Sequence, residues 1–185
     1  MAMIAKFEGY RPDYSKVVGT DKNYLTWVIL KAHTNNVSGA ISLRSADPLE
    51  PPHVNFNQFH DGAADDIRAV IDGVRFVRKL NAEINRHGIG SHEELPGGER
   101  QTDGELEEHV RRQAWGHHAC GTCAIGSPDR GGVVGTDFRV HHTTNLRVVD
   151  ASVFPRIPGF FIVCAVYMIG EKAAETILAS AGAGS

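Results

Sequence analysis

The chain has 185 residues, enough for one domain or one domain with a subdomain, and two full domains are not expected. Hydrophobic residues make up 42% and charged residues 22%, the balance of a globular chain with a core rather than a disordered tail. Nineteen Lys and Arg against 22 Asp and Glu leave a net charge of −3 with the basic residues dispersed, which argues against a nucleic-acid partner.

The longest apolar run, Phe160 to Ile169, is half the roughly 20 residues a helix needs to cross a bilayer, so no membrane span is expected. The opening MAMIAKFEGY lacks an apolar core of signal-peptide length, and three Cys make no disulfide framework. Both point to a reducing, cytoplasmic setting.

Residues 1–24, with Gly9, Pro12, Gly19 and Asp21, read as an irregular lead-in. Leu25 to His33 has strand character, and Val37 to Leu43 alternates apolar and small polar residues. With Asn35-Asn36 between them, the two predict a β-hairpin over 25–43. Asp47, Pro48, Pro51 and Pro52 impose a loop, followed by a short extended piece at Val54 to Phe56. Ile67, Val70, Ile71, Val74 and Val77 recur at helical spacing and predict a helix over about 64–84. Thr102 followed by Glu105 has the form of a capping box, opening a second helix that runs to about Trp115 and stops at Gly116. Val133-Val134, Phe138 to Val140 and Leu146 to Val149 read as short strands, and a last helix ends near Ala179. The tail from residue 181 to 185 is expected to fray.

The densest polar cluster is Trp115-Gly-His-His-Ala-Cys-Gly-Thr-Cys-Ala-Ile-Gly126. Glycines there let the backbone approach a planar ligand, and a His can move a proton near neutral pH. Cys120-Gly-Thr-Cys123 also has the form of a zinc or dithiol site. The adjacent His pairs that would supply further ligands, His117-His118 and His141-His142, however, depart from ligand spacing, and a redox CxxC opens a helix rather than following one. A packed structural role for the same His and Cys stays open. Leu146 to Ser152 places Asp150 and then small residues after a strand, where backbone can meet a nucleotide.

Taken together, HHACGTC, VVGTDFRVHHTTNLRVVDASVFP and YMIGEKAAETIL resemble the C-terminal region of the glucose–methanol–choline (GMC) oxidoreductases, flavoenzymes that oxidise alcohols with FAD. The upstream SGAISLRSADPLEPPHVNFN resembles that family's entry into the substrate domain. The resemblance implies an α+β fold, an antiparallel sheet flanked by helices, over residues 25–180. It also implies that the N-terminal Rossmann-like FAD domain is absent or supplied by a partner chain, since no G-x-G-x-x-G follows a strand here. By the same resemblance His118 is the general base toward a small-molecule alcohol, with His117 as its neighbour. Asp150 and Ala151 lie beside FAD, and the backbone at Phe161 and Ile162 passes the flavin. No metal is implied. Phe161 occupies the place of the family's second catalytic His or Asn and offers no hydrogen bond. Two other functions fit the residues: a non-catalytic remnant or binding module with the same fold, and a small CxxC metal or redox protein.

Overall fold

A computed structural model describes residues 2–3, 6–7, 12–20 and 23–182. The described residues divide into two compact units. One is drawn from 1–31, 35–37 and 58–115, the other from 32–34, 38–57 and 116–185.

The first unit is built on two helices. Helix α2, Ala63–Arg86, carries its apolar residues at three- and four-residue steps and so buries Ile67, Ile71 and Val74 on one face. Helix α3, Asp103–Gln113, meets that face with Leu106 and Val110, and Ile29, Phe59 and Val70 close the cluster. Each such side chain contributes about 1.5–3 kcal/mol on leaving water. Helix α3 starts at a complete capping box. The Thr102 hydroxyl accepts the Glu105 N–H at 3.3 Å, and the Glu105 carboxylate accepts the Thr102 N–H at 2.9 Å. Asp66 is buried in α2 yet satisfied, accepting the Asn35 N–H and pairing with Lys31 at 3.3 Å. Strand β1, Ala2–Met3, pairs antiparallel with β2, Thr26–Trp27, and a short helix α1 spans Tyr14–Thr20.

The second unit holds the antiparallel pair β3, Ala40–Ser42, and β4, His53–Asn55, with Ile41 opposite Val54. It also holds helix α4, Val163–Gly182, and 3₁₀ turns at Pro128–Arg130 and Ala151–Val153. Its core is Val134, Phe138, Val153 and Ala173, flanked by Ile125, Val133, Val140, Val148 and Ile169.

Several expectations are corrected. The hairpin over 25–43 does not form. β2 pairs with β1, and β3 pairs with β4 across the proline-rich loop. That loop closes because side chains supply its bonds, Asp47 accepting the Leu49 N–H at 2.9 Å and Ser45 donating to Glu50 at 2.5 Å. The expected mix of helices and antiparallel strands is present, with four α-helices among the described residues, but the strands form two separate small pairs instead of one sheet. The strands expected over 133–149 are reduced to single bridges, such as Val134 to Val140 and Arg139 to Arg147. Phe138, His142 and Asn145 adopt positive φ and bend the chain out of extension every few residues. Within the lead-in read as irregular, residues 14–20 are helical. Helix α3 ends at Gln113 because Ala114 turns extended, and Trp115 packs instead on Phe7, 5.9 Å between ring centres. Helix α4 runs on to Gly182, held in its last turns by Ser180, which donates to the Ile177 carbonyl and accepts from Arg147. The rest of the expected tail, residues 183–185, lies outside the described residues.

Candidate functional site

The glycine-rich segment after α3 and the turn after Val149 are separate in sequence but joined by backbone bonds. The Cys123 N–H donates to the Ser152 carbonyl at 3.0 Å and the Ile125 N–H to the Val153 carbonyl at 2.9 Å. Val153 is fully buried beneath them, so the turn is anchored in the unit's core. Asp150 opens that turn as its cap, its carboxylate accepting the Ser152 N–H at 2.8 Å together with the Ser152 hydroxyl. Both bonds fall on Oδ1. Ala151, the next residue, is half-buried and presents only a methyl group beside the backbone.

Two close approaches fix the other side of the segment. A Cβ on Gly132 would lie 2.2 Å from the carbonyl carbon and oxygen of Gly126, so the two backbones meet at a distance only glycine allows. His141 then clasps the same point, its Nε2–H donating to the Gly126 carbonyl at 2.8 Å. The sequence singled out neither contact. His141 stood there only as an alternative metal ligand, and the pairing of Gly126 with Gly132 has no local signature.

Three of the six candidate residues come together as rings or ring neighbours. The His117 and His118 rings lie 4.2 Å apart at 64°, and the His118 ring meets Phe161 edge-to-face at 6.5 Å and 68°. His118 is half-buried and makes no hydrogen bond among the described residues, so its ring nitrogens are available to a ligand. Burial, reinforced by the adjacent His118, pushes the His117 imidazole below its ordinary value and favours its neutral form. Ile162 sits at the start of α4, its carbonyl accepting the Val166 N–H at 2.9 Å. Phe160 and Phe161 are 56% and 60% exposed, and no ionisable carboxylate, amine or guanidinium occurs between Gly159 and Gly170.

Cys120, Cys123 and Cys164 are free thiols, and burial pushes Cys120 up, toward the protonated thiol. Among the described residues no group of three or more His, Cys, Asp or Glu is placed to hold a metal ion. No helix among them is long and apolar enough to cross a membrane.

Comparison with known proteins matches the GMC oxidoreductase family model to residues 35–170. A fatty acid photodecarboxylase of Chlamydomonas reinhardtii is 39% identical over 142 residues, covering 75% of this chain and 23% of that protein. An oxygen-dependent choline dehydrogenase of Cronobacter sakazakii is 37% identical over 141 residues, covering 75% and 24%. Among solved structures, a formate oxidase variant of Aspergillus oryzae, studied for its FAD modification, superimposes with a TM-score of 0.67 at 34% identity, over 77% of this chain and 25% of that one. The chain thus spans about a quarter of the length of the relatives it matches.

Proposed function

The chain belongs to the GMC oxidoreductase family, and from that premise we propose that it forms the alcohol-facing, flavin-closing part of an FAD-dependent alcohol oxidoreductase, with His118 as the general base. Residues 25–180 constitute the family's C-terminal region, preceded by a lead-in over 1–24. The observation that carries the reading is the state of His118. It is a half-buried imidazole with no hydrogen bond among the described residues, set on a segment that backbone bonds join to the Asp150 turn.

The residues present fit a flavin nucleotide in their donor set. Ser152 holds Asp150 Oδ1 and fixes the turn, where Asp150 and Ala151 would offer backbone that the methyl of Ala151 leaves approachable. The peptide groups at Phe161 and Ile162 would border the ring. When bound, FAD supplies the acceptor for the hydride that leaves the carbinol carbon as the C=O bond forms. His118 takes the hydroxyl proton, and the O–H electron pair stays on oxygen to make that carbonyl. His117, held toward its neutral form, supplies the polar neighbour that Phe161 cannot, steadying the His118 ring once it is charged.

The remaining cofactor contacts would come from a flavin domain covering the exposed apolar side chains of α4, Tyr167, Met168 and Leu178. The test joins this chain to a family flavin domain and mixes it anaerobically with an alcohol panel. Bleaching of the flavin band supports the reading. A flavin-loaded protein that no alcohol bleaches contradicts it.

A further inference from the structure

We infer that the alcohol this site takes is an apolar monohydric one, aliphatic or aromatic, and that Phe161 is the residue that selects it. The inference rests on the reading of His118 as the proton acceptor and adds the chemistry of the group that carries the hydroxyl.

Among the described residues, the side chain in ring contact with the His118 imidazole, other than His117, is Phe161, edge-to-face at 6.5 Å. A hydroxyl delivered to the free His118 nitrogen therefore brings its carbon skeleton against a benzyl ring. Phe161 is one of four consecutive apolar side chains, Phe160-Phe161-Ile162-Val163. Three of them, Phe160, Phe161 and Val163, are more than half exposed, at 56%, 60% and 55%. These side chains carry no hydrogen-bond donor or acceptor, and the segment from Gly159 to Gly170 carries no carboxylate, amine or guanidinium.

Each ligand class meets that wall differently. A polyol laid on it loses water from the hydroxyls that face these side chains and gains no bond in return, a penalty of about one to two orders of magnitude at an apolar surface. A quaternary-ammonium alcohol gains some attraction to a phenyl face. Phe is a weaker partner for a cation than Trp, no carboxylate on the segment neutralises the charge, and His118 becomes cationic as it accepts the proton. An alkyl or aryl alcohol buries its skeleton against the wall, releases water from both surfaces and leaves a single polar group, the hydroxyl, for His118.

The experiment follows His118 and Phe161 ring signals by NMR in the 185-residue chain during titration with benzyl alcohol, 1-hexanol, glycerol and choline. Benzyl alcohol and 1-hexanol are expected to shift both rings saturably, with dissociation constants at least about tenfold below those of glycerol and choline, as one lost or gained pocket contact allows. Phe161→Asn should shrink that preference to less than about threefold, and Phe161→Leu, still apolar, should keep most of it. Because Phe161 is mostly exposed, both variants are expected to fold. Choline or glycerol binding as tightly as benzyl alcohol overturns the inference, as does the absence of any saturable shift, or a preference that Phe161→Asn leaves intact. None of those results bears on His118 as proton acceptor, which fails separately if removing its imidazole leaves flavin reduction unchanged.

Discussion

Gly132→Ala should destabilise the second unit far more than Gly126→Ala, although both add one methyl group to the same pair of backbones. The Gly132 Cβ would fall 2.2 Å from the Gly126 carbonyl, against 3.4 Å for an ordinary contact, so the segments must separate by at least 3.4 − 2.2 = 1.2 Å. Neither obstructing atom belongs to a flexible side chain, so rotation gives no relief. Three hydrogen bonds clamp this crossing: Gly126 N–H to the Val134 carbonyl at 3.0 Å, Val133 N–H to the Ala124 carbonyl at 2.9 Å, and Gly132 N–H to the Ser127 carbonyl at 3.0 Å. Lengthened by 1.2 Å, each passes the limit of about 3.2 Å for an N–H···O bond, and at roughly 1 kcal/mol apiece the loss is about 2–4 kcal/mol. In the opposite substitution the Gly126 Cβ stands 3.4 Å from the Gly132 Cα and 3.9 Å from its nitrogen, with no positive φ to strain, so the change should stay within about 0.5 kcal/mol. Guanidinium unfolding of both variants measures the difference, and hydrogen exchange at the Gly126 and Val133 amides localises it. Equal destabilisation of the two would refute the argument from close approach.

Removing the helix cap with Thr102→Ala should cost about 1 kcal/mol in urea unfolding. The paired Glu105 carboxylate is held below the usual range, first by the Thr102 N–H bond, so its contribution is present above the unfolded-state value and is lost as pH falls through the lower folded value. Acid should therefore destabilise the parent more than Glu105→Gln in a pH series of midpoints. Replacing Cys120 and Cys123 together by Ser should weaken packing by about 1–3 kcal/mol without changing metal content, and stoichiometric zinc in the parent would contradict this.

The two core helices of the first unit were legible because their signals are local. The three- and four-residue spacing of Ile67, Ile71 and Val74 fixes a buried face, and Thr102 with Glu105 marks a start in four residues. Strand pairing was not legible. Leu25 to His33 and Ala40 to Ser42 both look like strands, but which partner each takes depends on bonds formed far along the chain, here within 2–3 and 53–55. Residues 133–149 failed for a different reason. Phe138, a bulky apolar residue, reads as strand but sits at positive φ because its ring fills the core beside Val134 and Val153. At the site, the residues themselves stood out as a motif, whereas the ring contact of His118 with Phe161 and the clasp of His141 on Gly126 join positions 43 and 15 residues apart and left no trace in composition.

The central claim is that His118 accepts the hydroxyl proton, and its most direct measure is the anaerobic rate of flavin reduction by benzyl alcohol in the chain joined to a flavin domain, parent against His118→Ala. Loss of a positioned general base is expected to slow reduction by about 10²–10⁴ while the flavin content stays the same. His118→Ala that reduces flavin at the parental rate would contradict the claim and leave the His118 segment as structural lining.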